Sequence, residues 1–155
     1  MKGIWHSTPE LNFFTNYYSV SPGMASFTPG RGANYLMAFT DSDGSTLSGG
    51  STYRLSLPPK IPAKIFWSVT LYDAENSSGL ANGQPFPSLG SRDKPEQNAD
   101  GSTDLYFGPN APAGKGGNWL ATLPGKGYFA ILRLYGPTES AFDKSWKPGD
   151  FEIVK

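Results

Sequence analysis

Six carboxylates, Asp73, Glu75, Asp93, Glu96, Asp100 and Asp104, crowd residues 73–104. Two acids held across a cleft can break a glycosidic bond, one protonating the leaving group and the other acting as base or nucleophile. Asp73 and Asp100 are the first choices for such a catalytic pair. Glu75 and Asp100 stand beside Asn76 and Gly101, however, where turn capping uses a carboxylate without any reaction. Histidine chemistry has a single starting point, His6, which precedes the first recognisable element. No G-x-S-x-G run supplies an exposed serine for it to activate. The chain has no cysteine, which removes thiolate catalysis, disulfides and zinc–thiolate sites.

The cation with the strongest claim to a role is Arg133, alone among apolar residues in YFAILRLYGP (128–137). If this run is a strand, Tyr128, Ala130, Leu132 and Leu134 share one face, and Phe129, Ile131, Arg133 and Tyr135 share the other. The first face suits a core. The second is also largely apolar, so it is expected to be covered by a loop, a helix, a second protomer or another domain. A guanidinium taken out of water needs a carboxylate or several carbonyls. Asp73, at the end of FWSVTLYD, is the expected partner, with Asp100 and Asp104 next. The pair would clamp a loop to the sheet, or Arg133 would meet a ligand anion. A ligand site built around it would draw on Tyr135, Tyr72, Trp119, Asn118 and Arg92, since a flat ring beside an amide can take a saccharide face. Trp67 and Trp146 are expected in the core.

Metal and phosphate motifs fail on spacing. DSDGSTLSGGST (41–52) opens like a calcium loop, but Thr52 stands where a bidentate Glu is required, so a turn is expected. AGKGG (113–117) and PGKGY (124–128) lack the P-loop spacing and a following helix, and are expected to shape hairpin loops. No metal and no cofactor is called for. Thirteen basic residues balance thirteen acidic ones, so nothing electrostatic recommends nucleic acid or an anionic membrane as partner. No stretch reaches the ~20 apolar residues of a membrane helix.

The elements that must position these residues read as strands. Nineteen Gly and fourteen Pro punctuate short runs of β-branched and aromatic residues. Seven runs fit: 34–39, 52–57, 65–73, 103–107, 118–123, 128–136 and 151–154. The Asp-Gly pairs of DSDG (41–44) and NADG (98–101) are hairpin signals. TPELNFFTNYYS and TESAFDKSW, opening at Thr8 and Thr138, suit one or two short helices. Residues 76–97 have no clear period, and a loop of that length is where a lid or binding loop is expected. The fold class is therefore all-β, a sandwich, in a single domain over 1–155 whose first sixteen residues form a tail or short helix.

Taken together, FWSVTLYD, DLYFGP, GNW, PGKGYF, LRLYGP and W-x-P-G, in that order, resemble the family called domain of unknown function 1214 over roughly residues 17–155. The resemblance implies an antiparallel, jelly-roll-like β-sandwich. It also implies that such a domain often follows another, domain of unknown function 1254, in a longer and often exported chain. It implies no reaction, and localisation stays open. The leading expectation is a binding or interaction module that meets a partner domain, a second protomer or a glycan-like ligand. The alternatives are a carboxylate hydrolase acting on carbohydrate-type substrates and a structural accessory domain of a longer protein. If the chain is complete as it stands, a homodimer is the expected cover for the second face.

Overall fold

The computed structural model describes residues 28–154. They form a sandwich of two four-stranded sheets. The first sheet has the order β1 (Ala33–Ala38), β7 (Tyr128–Pro137), β3 (Ala63–Asp73), β4 (Ser88–Gly90). The second has the order β6 (Trp119–Ala121), β5 (Thr103–Gly108), β2 (Tyr53–Leu57), β8 (Phe151–Ile153). Every pair is antiparallel except β5–β6. All seven expected strands form, and β4 is an eighth, inside the stretch read as aperiodic.

The alternation read from sequence is the alternation observed. Val69, Leu71, Leu132 and Leu134 of the first sheet meet Leu55, Leu57, Leu105 and Phe107 of the second in one core, with Trp67 among them. Trp146 packs against its margin and donates its indole N–H to the Pro58 carbonyl at 3.3 Å. Burying a Leu or Phe in such a core is worth about 1.5–3 kcal/mol. The helical signal at Thr138 yields one turn, α1 (Glu139–Phe142). The N-terminal helical signal, with His6, lies outside the described residues.

Of the turns expected from sequence, one forms as read and the others differ. DSDG does make a tight turn: Asp41 accepts the backbone N–H groups of Asp43 and Ser45, both at 3.0 Å, beneath the bridge of Thr40 with Thr46. NADG turns the chain at Gly101 but joins no strand pair, because β4 and β5 belong to different sheets. Residues 113–117 link a parallel pair, which a hairpin cannot do, and residues 124–128 pass from one sheet to the other. The expected lid is a pinned wall. Its first part runs back along β3 through Leu80 N–H to the Leu71 carbonyl (3.0 Å), and buried Asn82 donates to the Ala121 carbonyl (2.8 Å). It then supplies β4, whose three residues pair with Ser68–Thr70 of β3.

Candidate functional site

Arg133 lies on the outer face of β7, with β1 on one side and β3 on the other, opposite Tyr35 and Ser68. Pairing in register keeps partners on one face, so Tyr35, Met37 and Phe39 of β1 and its extension, and Phe66, Ser68, Thr70 and Tyr72 of β3, look out with it. The guanidinium donates through Nη1 to Thr70 Oγ1 at 2.8 Å and through Nη2 to the Tyr72 hydroxyl. Thr70 in turn donates its hydroxyl hydrogen bond to Ser88 Oγ at 3.1 Å. The charge also sits 5.4 Å from the centre of the Tyr35 ring and 5.5 Å from that of Tyr72, within cation–π range of both.

This overturns the expected ion pair. Asp73 is an odd-numbered β3 residue and points into the sandwich, only 6 % exposed, on the side of the sheet opposite Arg133. Its Oδ2 accepts from Lys126 Nζ at 2.9 Å and its Oδ1 from the Glu75 backbone at 2.8 Å. The lysine ammonium and that backbone N–H hold the Asp73 carboxyl below the ordinary carboxylate range, and Asp73 in turn raises Lys126. Asp100 accepts the Ser102 hydroxyl and backbone N–H in the turn before β5, and these bonds lower its pKa. Asp104 belongs to the second sheet, on β5. Among the described residues the ion pairs are Arg54–Glu152, Lys115–Glu96 and Lys126–Asp73, none of which uses Arg133.

Around Arg133 the rings are ordered in cross-strand rows. Phe39, Phe129 and Tyr72 stack with centroids 5.2 Å apart and planes 27° and 16° from parallel. On the other side of Arg133, Tyr135 and Phe66 stack at 4.1 Å, and the Arg92 guanidinium caps Phe66 at 4.2 Å. Burial raises the Tyr135 hydroxyl pKa. Near-parallel rings at such spacings overlap face to face with an offset. The row therefore shows water its edges and hydroxyls, and keeps most ring faces for its own members. Exposure is uneven across the face: Tyr35 is 48 % and Phe39 46 % exposed, whereas Ile131 between the rows is buried. Beside the Phe39–Phe129–Tyr72 row lies a depression of about 640 Å³ lined also by Met37 and Ile131.

Of the sequence candidates, Arg133, Tyr72, Tyr135 and Arg92 come together on this face. Asn118 and Trp119 do not. Asn118 is buried in the second layer, where its amide accepts from the Glu96 N–H and donates to the Glu96 and Asp104 carbonyls. Trp119, partly exposed on β6, donates its indole N–H to the Gly108 carbonyl at 3.0 Å. Tyr35, Phe39, Phe66 and Phe129 complete the face. Phe129 was available from its parity with Arg133. Tyr35 and Phe39 needed the β1–β7 register, which no local pattern carries. No group of acids, histidines and cysteines among the described residues could hold a metal ion.

Comparison with solved structures places the sandwich in known company. The crystal structure of the VPA0106 protein from Vibrio parahaemolyticus matches 92 % of this chain at a TM-score of 0.73 and 24 % identity, using 34 % of its own length. A putative uncharacterized protein from Burkholderia cenocepacia matches 79 % of it at a TM-score of 0.51 and 16 % identity, using 29 % of its own length. The chain thus spans about a third of the solved chains it is similar to. No curated protein matches it. Residues 32–139, which include β1, β3, β7 and every ring of the outer face, match the family described as "Protein of unknown function (DUF1214)", and the chain belongs to that family.

Proposed function

We propose that the protein is an interaction module whose outer β1–β7–β3 face docks against a protein surface carrying apolar side chains and at least one carboxylate. The observation that carries this reading is Arg133. A guanidinium has five N–H donors; Thr70 and Tyr72 accept from two of them, and no carboxylate among the described residues pairs with the charge. It lies amid half-exposed rings that soluble surfaces seldom leave together without a partner. A central Arg ringed by aromatics, next to an apolar depression, is the composition of an interface hot spot.

A protein surface suits these rings better than a saccharide. Sugar recognition by an aromatic needs a free ring face, and Phe129 is stacked between Phe39 and Tyr72 while Tyr72 also meets Arg133. The solved chains of this fold are about three times as long, so a second domain in the same polypeptide is the partner proposed. Superposition on the VPA0106 structure tests this directly. The face equivalent to β1, β7 and β3 should lose roughly 800 Å² per side to the rest of that chain. Finding that face open to solvent would overturn the reading, as would binding of this chain to an array of immobilised glycans that Arg133→Glu abolishes.

A further inference from the structure

We infer that β1 is a pairing edge, and that a second copy of this chain adds its own β1 antiparallel to it across a two-fold axis at Tyr35. The inference concerns the edge of the first sheet and does not rest on what covers its outer face.

The hydrogen-bond phase of β1 is fixed by the Gly136 N–H, which donates to the Gly32 carbonyl at 2.9 Å. Backbone groups in an antiparallel ladder alternate in direction. With Gly32 facing Gly136, the groups of Asn34, Leu36 and Ala38 turn to β7, and those of Ala33, Tyr35 and Met37 turn away from it. Among the described residues nothing takes up these outward groups. The edge closes one step later, where the Phe39 carbonyl accepts from Leu47 N–H at 3.2 Å. Among the described residues, what remains is an open edge whose donors and acceptors at three alternate residues have no partner.

Sheet edges are ordinarily protected by a charge, a proline, a bulge or a covering segment. The sequence ANYLMA has neither charge nor proline, and its register with β7 runs unbroken from Ala33 to Ala38. Such an edge is a template, and its simplest complement is itself, since an antiparallel pair about a two-fold axis is self-complementary. The register follows from the open groups. Centring the axis on Tyr35 sets Tyr35 against Tyr35 of the second copy and Ala33 against its Met37, which engages all three open residues and leaves the Phe39–Leu47 bond intact. Centring it on Leu36 would set Ala33 against Phe39, whose carbonyl is already taken. The chosen register also runs the Ser68–Arg133–Tyr35 row straight through into its copy.

Analytical ultracentrifugation of the full chain tests the proposal. Five paired residues make a small interface, so a dimer is expected at about 100 μM that dissociates near 1 μM. Ala33→Lys with Met37→Lys sets like charges opposite each other and should leave a monomer; Ala33→Glu with Met37→Lys sets opposite charges there and should restore the dimer. Amide hydrogen exchange gives a readout free of substitution: Asn34, Leu36 and Ala38 protected at both concentrations, Tyr35 and Met37 only at the higher. A strict monomer at 100 μM overturns the inference. So does a dimer that the double-lysine variant leaves intact, or protection of Tyr35 and Met37 that is independent of concentration.

Discussion

Arg133 and Asp73 stand on opposite sides of one sheet. The register opposes Arg133 to Ser68, and from Ser68 the outward parity on β3 runs through Thr70 and Tyr72 and passes Asp73 by. The two charges thus do unrelated things: one joins the sheet to the turn at Lys126, and the other sits between two rings on the outside.

The Asp73–Lys126 pair predicts the pH profile of folding. The folded pKa of Asp73 is lowered, so its contribution is complete above the unfolded value of about 3.9 and disappears as pH falls through the folded one. That of Lys126 is raised, so its contribution is complete below about 10.4 and disappears as pH climbs through the folded one. Thermal melts of the wild type and Lys126→Met should differ by a constant amount between about pH 5 and 9, and the difference should shrink as pH falls below the unfolded value of about 3.9. A difference that stays the same through the whole acid limb, down to acid unfolding, would contradict the assignment.

On the outer face, replacing Arg133 by Ala should cost about 2–5 kcal/mol, the worth of two cation–π contacts at a partly exposed site plus two side-chain hydrogen bonds. Lys should recover less than half of this, because an ammonium cannot fork to Thr70 and Tyr72 while lying between two rings. Urea unfolding measures both. Full recovery by Lys would mean that charge alone, and not the planar fork, holds the row together.

How much of this was legible in the sequence follows the range of each signal. Period-two alternation is local, and it placed β7 with Arg133 and Tyr135 facing out and Leu132 and Leu134 facing in. Register is not local. Asp73 reads as the partner of Arg133 because it closes FWSVTLYD, but the face it shares with Trp67, Val69 and Leu71 is the core face. Gathering Tyr35 and Phe39 beside Phe129 takes the return of a strand about a hundred residues distant in the chain, which only the folded topology supplies. Asn118 misled for a further reason: an amide next to a Trp reads the same whether it meets a sugar or two buried carbonyls.

Asn118 should therefore behave as a structural pin. Asn118→Ala removes bonds to the Glu96 N–H, the Glu96 carbonyl and the Asp104 carbonyl in a buried setting, and a loss of about 2–4 kcal/mol is expected. Amide exchange at Glu96 should accelerate well beyond that in β7. A variant that melts like the wild type would return Asn118 to the ligand-binding candidates.

Tyr128 and Tyr53 make the sharpest pair of opposite expectations. They meet edge to face in the core with centroids 6.3 Å apart. The Tyr53 hydroxyl accepts the Ser48 N–H at 3.2 Å, whereas the Tyr128 hydroxyl, 2 % exposed as a residue, has no hydrogen-bond partner. Burial, more than its neighbours Tyr53 and Asp41, drives the Tyr128 pKa far up, so it stays neutral and merely unsatisfied. An unpaired buried hydroxyl costs about 1–3 kcal/mol. Tyr128→Phe deletes that cost with little change of volume, and stability should hold or rise by about 1 kcal/mol. Tyr53→Phe instead orphans the Ser48 N–H, and should lower stability by about 1 kcal/mol. Equal losses for the two variants in urea titrations would show that Tyr128 has a partner after all, and would make its hydroxyl the first atom to follow in the core.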